Sequence, residues 1–170
     1  RQRRSGKMLA MIRAIFGAKR VVTATVTAIA LASPCVEKWE GLRTTAYRDI
    51  VGIPTICFGE TKGVKMGDTA TAQECRAMLA GRLAGFEQRL IACSPAYSGL
   101  PPKAQAALIS WSYNVGSRAA CHSTLMRKAA AGDLTGMCDE LLRWNRAGGR
   151  VVQGLVNRRN EEWQMCMEAV

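Results

Sequence analysis

Histidine occurs once in these 170 residues, at His122, and no two cysteines stand at the close C-x-x-C spacing of a zinc site. A Cys/His metal centre therefore finds no support, and with His122 between Cys121 and Ser123, a nucleophile–histidine pair would have to be assembled by the fold. Acids are scarce, 13 against 24 lysines and arginines, but the imbalance is uneven. Residues 1–20 hold seven bases and no acid, leaving 17 bases and 13 acids afterwards, a net of +4. Aromatics make up only 6% and are not interleaved with basic residues, so the stacking platform of a nucleic-acid binder is absent and no nucleic-acid partner is expected. Glycine and proline together number 21, too few for a collagen-like or low-complexity chain. No apolar run is long. The longest uncharged stretch, residues 21–36, reaches ~24 Å as a helix against the ~30 Å of a bilayer's hydrocarbon core.

With 48% apolar residues, the chain is expected to form one compact domain plus an additional segment. The segment is residues 1–34: a basic start, then a weakly hydrophobic run diluted by Thr23, Thr25 and Thr27, with Ala30-x-Ala32 as a potential cleavage site. That order fits a secretory signal or a transient inner-membrane anchor and implies export to the periplasm. A buried amphipathic helix is the alternative, although its polar face would consist of hydroxyls alone. Residues 35–170 form the folded domain. A short helix is expected from Val36 to about Arg43, then strand character around Tyr47 and over Pro54–Phe58, punctuated by Gly52, Gly59, Gly63 and Gly67. Thr71 and Glu74 form a capping box that opens a helix to about Ala92. Pro101-Pro102 begins another, with Ala104, Ala107, Leu108 and Trp111 on one stripe and Gly116 at its end. Ser123–Ala131, Leu134–Trp144 and Leu155–Met167 complete the reading. The class is α+β, mainly helical, with a small antiparallel sheet in the N-terminal lobe.

Seven cysteines behind an export segment read as disulfides of an oxidising compartment, with reduced core thiols as the alternative. Cys35, at the end of the apolar run, is the expected odd thiol. Six cysteines allow fifteen pairings; Cys93 with Cys121 is favoured because the two flank the Pro101–Val115 helix, and Cys57 with Cys75 and Cys138 with Cys166 are preferred among those left open.

Most acids have evident capping or helix-surface roles, Glu161 and Glu162 beside Arg158 and Arg159 among them. Two do not. Glu40 ends the first helix in Trp39-Glu40-Gly41-Leu42-Arg43, and Asp49 leads into the glycine-punctuated region. A carboxyl against apolar neighbours such as Trp39 and Leu42 can stay protonated as a general acid, while one in a polar loop stays ionised as a base. Two such groups flanking a sugar bond equip a glycosidase, though spacing alone fixes no distance between them.

The run Glu40-Gly-Leu-Arg-x-x-x-Tyr47-x-Asp49-x-x-Gly52-x-x-Thr55-Ile-x-x-Gly59 resembles, in order and spacing, the N-terminal signature of the phage-type lysozymes, glycoside hydrolase family 24. Tyr113-Asn114-Val115-Gly116, Arg143-Trp144 with Ala147-Gly148-Gly149, and Gly154-Leu155 followed by Arg158-Arg159-x-Glu161 extend the resemblance over residues 35–167. With the preceding segment, the chain is similar to the signal-arrest-release endolysins of tailed phages. The resemblance implies a two-lobed lysozyme fold, working as a monomer without cofactor or metal. It also implies cleavage of the N-acetylmuramic acid to N-acetylglucosamine bond in the glycan strands of peptidoglycan. Glu40 would be the general acid, Asp49 the base for an attacking water and Thr55 the hydroxyl that orients it, with inversion as the outcome. Tyr47, Asn114 and Gly116 would contact substrate. In one place the chain departs from the family: Glu60 stands where a histidine is customary, and needs a different partner. A catalytically silent protein of the same fold, binding peptidoglycan or anchored to a membrane, is the alternative from another functional class.

Overall fold

The computed structural model describes residues 28–170, so the basic start and Thr23, Thr25 and Thr27 lie outside the described residues. The first described helix, α1, occupies residues 28–40, and its early part is not separate from the domain. Ala28, Ala32, Cys35 and Val36 follow one another at helical spacing, and all are buried to 2% exposure or less. The expected start at Val36 and end near Arg43 are thus both displaced toward the N-terminus. The small alanines, including Ala32 of the potential cleavage site, let this helix approach its neighbours closely and so join the core. No helix among the described residues is long and apolar enough to cross a membrane. Gly41 ends α1 by adopting φ +75° and donating its N–H to the Glu37 carbonyl at 3.1 Å, which leaves Glu40 as the last helical residue.

The chain then runs directly into the sheet. β1 (Arg43–Arg48) and β2 (Pro54–Cys57) pair antiparallel, with Tyr47 opposite Thr55 and Arg48 opposite Pro54. On the other edge of β1, Ala46 N–H bonds the Asp68 carbonyl at 2.9 Å and Ala70 N–H the Thr44 carbonyl at 2.9 Å. The helical part follows. α2 (Ala72–Cys93) starts at the expected capping box, in which Glu74 N–H donates to Thr71 Oγ1 at 3.2 Å and Thr71 N–H to Glu74 Oε2 at 2.7 Å. Those bonds from Thr71 hold the Glu74 carboxyl below its usual pKa. A 3-10 turn (Pro95–Gly99) leads to α3 (Pro102–Val115), in which Ala104, Ala107, Leu108 and Trp111 are fully buried. Every residue from Ala104 to Ser112 is buried, so α3 is the axis of the bundle rather than a helix with one apolar stripe. Around it stand α4 (Ser117–Cys121), α5 (Thr124–Ala130), α6 (Leu134–Leu141) and α7 (Gln153–Met167). Gly148 and Gly149, at φ +55° and +77°, form the two-residue turn between β3 (Arg146–Ala147) and β4 (Arg150–Val151).

Three disulfides join Cys57 to Cys75, Cys93 to Cys121 and Cys138 to Cys166, while Cys35 is free and buried. The pairings read from the sequence are those formed. Each ties two elements: β2 to α2, α2 to α4, and α6 to α7. Closing the 28-residue loop between Cys138 and Cys166 should be worth about 3–4 kcal/mol through the unfolded chain. The double variant Cys138→Ala/Cys166→Ala is expected to lose roughly 2–4 kcal/mol in urea unfolding, and a midpoint unchanged from wild type would deny the bridge a stabilising role.

Of the acids buried in the helical part, Glu87, Glu140 and Glu162, the first sits on α2. Glu87 accepts from the Tyr97 hydroxyl at 3.2 Å through Oε1, while Oε2 is buried with no hydrogen-bond partner among the described residues. Burial raises its pKa, with the Tyr97 bond pulling the other way. A carboxyl whose folded pKa is raised stabilises the fold at pH values below its unfolded pKa, and that stability is lost as pH rises through the folded value. Glu87→Gln is therefore expected to melt above wild type at pH 7. The gap should close below about pH 4, where the carboxyl is protonated in folded and unfolded chains alike.

Candidate active site

Two frameworks hold the acids singled out in the sequence. At the end of α1, Glu40 Oε1 accepts from Arg158 Nη1 at 2.7 Å, and the Glu40 side chain is 25% exposed. The apolar surroundings expected for it are not what the structure provides. Leu42 is itself exposed, and the Trp39 indole donates to Glu161 Oε2 at 3.0 Å. A buried arginine is instead the nearest polar neighbour of Glu40.

Arg158 is fixed from behind. Its Nε donates to Glu162 Oε1 at 3.2 Å and its Nη2 to the Ser110 carbonyl at 3.3 Å, on the central helix α3. Glu162 is fully buried and also accepts from the Ser110 hydroxyl at 2.7 Å. Arg159 Nε lies 3.0 Å from Glu162 Oε2 without the alignment of a hydrogen bond, so that contact is coulombic. Burial raises the pKa of Glu162, with Arg159, Ser110 and Arg158 pulling it down. Cys35 Sγ sits 3.5 Å from the Ser110 hydroxyl, and burial pushes this thiol up to about 11, which keeps it protonated and unreactive.

The sequence reads Arg158 and Glu162 as surface partners on α7, whereas both are buried. The pairing of Glu161 is different as well, since it accepts from Lys38 at 2.7 Å and from Trp39. The usable signal is helical phase: Arg158, Glu162 and the bridged Cys166 recur every four residues and share one buried face.

Asp49 begins the turn between β1 and β2. Its Oδ1 accepts from Val51 N–H at 3.0 Å and Ile53 N–H at 2.8 Å, and among the described residues Oδ2 accepts from none. Thr55, on β2 and nearly buried, donates its hydroxyl to the Ile53 carbonyl at 3.0 Å. Tyr47 stands opposite Thr55 in the strand register and is partly exposed, so the hairpin gathers three of the expected residues. Asn114, at the end of α3, accepts from Arg159 Nη2 at 2.9 Å, and Gly116 closes that helix at φ +86°.

Glu60 also has its partner. Its Oε1 accepts from Thr61 and Lys62 N–H at 3.0 and 2.9 Å, and Arg82 Nη1 lies 3.8 Å from Oε2 while donating to the Gly59 carbonyl at 2.7 Å. The same guanidinium covers the Tyr113 ring at 5.3 Å, and the Tyr113 hydroxyl donates to the Phe58 carbonyl at 2.8 Å. In place of a histidine, an arginine on α2 and a tyrosine on α3 clamp the segment after β2 to the helices.

A small antiparallel sheet fed by a helix ending in a carboxyl, joined by one long helix to a bundle around a buried axis, is the lysozyme fold. The chain belongs to the phage lysozyme family, whose sequence profile matches residues 37–162. It is 44% identical over 133 residues to a SAR-endolysin of Pseudomonas phage phiKMV, covering 76% of this chain and 81% of that protein. Among solved structures, the endolysin from Escherichia coli O157:H7 phage FAHEc1 superimposes with a TM-score of 0.71 at 29% identity, over 82% of this chain and 92% of that one. The active form of the P1 phage endolysin Lyz superimposes with a TM-score of 0.73 over 86% and 93% of the two chains, a likeness of fold at 22% identity.

Proposed function

We propose that the chain is an endolysin that hydrolyses the bond between N-acetylmuramic acid and N-acetylglucosamine in peptidoglycan, by general acid and base catalysis with inversion. The observation that carries this reading is that each acid is anchored through one carboxyl oxygen and, among the described residues, accepts no hydrogen bond at the other. Arg158 holds Glu40 Oε1, leaving Oε2 to carry a proton to the glycosidic oxygen. The turn amides hold Asp49 Oδ1, leaving Oδ2 to take a proton from water as that water attacks the anomeric carbon from the opposite face. The Thr55 proton is committed to the Ile53 carbonyl, so its oxygen acts as acceptor and turns one hydrogen of the water toward itself. That leaves the second hydrogen for Asp49 and a lone pair for carbon. Room for the water requires the two carboxyl groups to stand roughly 6.5–9.5 Å apart. Tyr47 and the Asn114 amide contact the glycan on either side, and Gly116 keeps its backbone close to the strand.

Residues 1–34 carry the enzyme across the inner membrane and hold it there transiently, as a monomer, before release to the periplasm. Three disulfides, which persist in an oxidising compartment, support export, as do relatives named SAR-endolysin. Digestion of purified cell walls followed by borohydride reduction tests the bond. The reading expects the new reducing ends to be muramic acid; glucosamine ends would assign a different cleavage, and no new ends would leave a protein that only binds.

A further inference from the structure

Ser110 and Tyr113 stand one turn apart on α3, and each reaches toward a different half of the candidate site. The Ser110 carbonyl accepts from Arg158 Nη2 at 3.3 Å, and Arg158 Nη1 in turn holds Glu40. The Tyr113 hydroxyl donates to the Phe58 carbonyl at 2.8 Å, in the turn that follows Thr55. Among the described residues this is the only hydrogen bond from residues 43–70 to any element after α2. Burial raises the Tyr113 pKa, so the hydroxyl stays a donor. Its ring is placed independently of that bond, with the Phe86 ring at 5.2 Å and the Arg82 guanidinium at 5.3 Å.

The turn after Thr55 can pass a displacement back to that residue because it is closed on itself. Ile56 and Glu60 exchange both backbone hydrogen bonds, at 2.9 and 2.8 Å, and Cys57 between them takes φ +59°, the one left-handed residue other than glycine among those described. Such a backbone persists only where its surroundings over-determine it. Here they do: Cys57 is bridged to Cys75, and the Gly59 carbonyl accepts from Arg82 Nη1 at 2.7 Å. Both of those contacts come from α2, the helix that joins the sheet to the bundle. Only Tyr113 ties the turn to the axis that also carries the anchor of Glu40. One turn of α3 thus separates the hold on the acid from the hold on the strand of Thr55.

We propose, on the hydrolytic reading given above, that Tyr113 is a positioning residue whose hydroxyl sets the spacing between the hairpin of Asp49 and Thr55 and the Arg158-held Glu40. A misplacement of about 1 Å between reacting groups can cost about 10²-fold in rate. Tyr113→Phe removes the hydroxyl and keeps the ring. Tyr97→Phe is the control, since the Tyr97 hydroxyl is another buried donor, to Glu87 Oε1 at 3.2 Å within the helical part. On purified cell walls, Tyr113→Phe is expected to lower kcat roughly tenfold with the apparent KM within about twofold of wild type, whereas Tyr97→Phe lowers the melting temperature and keeps the wild-type kcat. Wild-type kcat in Tyr113→Phe, a change in KM alone, or an equal fall in kcat for Tyr97→Phe would overturn the proposal. Nitroxides attached to p-acetylphenylalanine at exposed Lys62 beyond β2 and exposed Asn160 on α7 read the spacing without turnover. Tyr113→Phe should widen or shift the distance distribution between them in pulsed dipolar spectroscopy, and a distribution identical to wild type would overturn the proposal even if kcat falls. A wild-type protein that releases no reducing ends would remove the hydrolytic reading instead, and the label distances would still decide whether Tyr113 sets the spacing.

Discussion

Glu40→Gln is expected to slow cell-wall digestion by about 10²–10⁴-fold, and Asp49→Asn by a similar factor, because one loses the transferable proton and the other the base. Both substitutions keep shape and most hydrogen bonds. With glutamine at position 40 the amide oxygen can still accept from Arg158, and with asparagine at position 49 it can still accept from Val51 and Ile53, so melting temperatures should stay close to wild type. The measurement is the fall in turbidity of chloroform-treated Gram-negative cells, with a melting curve beside each rate. A variant that clears cells at the wild-type rate would remove that residue from its assigned role.

The second large effect concerns stability and separates two adjacent glutamates. Glu162→Ala leaves Arg158 and Arg159 buried without their shared counter-charge, a situation that costs about 3–5 kcal/mol. Glu161→Ala breaks a pair with exposed Lys38 and the bond from the Trp39 indole at a site open to water, so it should cost far less. Urea unfolding of the two variants should therefore give very different midpoints. Similar small losses in both would mean that the cluster behind Glu40 contributes nothing particular. Since Arg158 is positioned by Glu162, any folded Glu162 variant should also be slower on cell walls.

The contrast between these glutamates shows where the sequence is legible. Local chemistry reads well: the Thr71–Glu74 box and the strand character around Tyr47 and over Pro54–Phe58 each depend on residues within a few positions, although the helix end expected near Arg43 falls at Glu40. Of the disulfides, only Cys93–Cys121 has a reason in the sequence, the helix that the two cysteines flank, whereas the other two pairs are a choice among the pairings that remain open. What fails is anything decided by packing from outside the segment. That residues 28–35 also pack into the folded domain is not visible in an uncharged run, because only the neighbours that cover Ala28 and Ala32 put it in the core. Arg158 and Glu162 look like an ordinary surface pair on α7 until α3 and α1 close over them. The β3–β4 hairpin is two residues a side, too short for any periodic pattern, so its glycines read as a spacer. Glu40, Asp49 and Thr55 are legible only as a spaced motif, while the arginine that anchors Glu40 needs the fold.

The most direct test of two carboxyl groups working across a water is the configuration of the first sugar released. Proton NMR of a short β-linked peptidoglycan oligosaccharide, recorded during the first turnovers before mutarotation, resolves the anomeric signal of the new reducing end. Attack by a water that Asp49 and Thr55 hold on the face opposite Glu40 predicts the α-anomer first, with β growing in as the solution equilibrates. Initial appearance of the β-anomer would contradict that arrangement and make Asp49 a nucleophile.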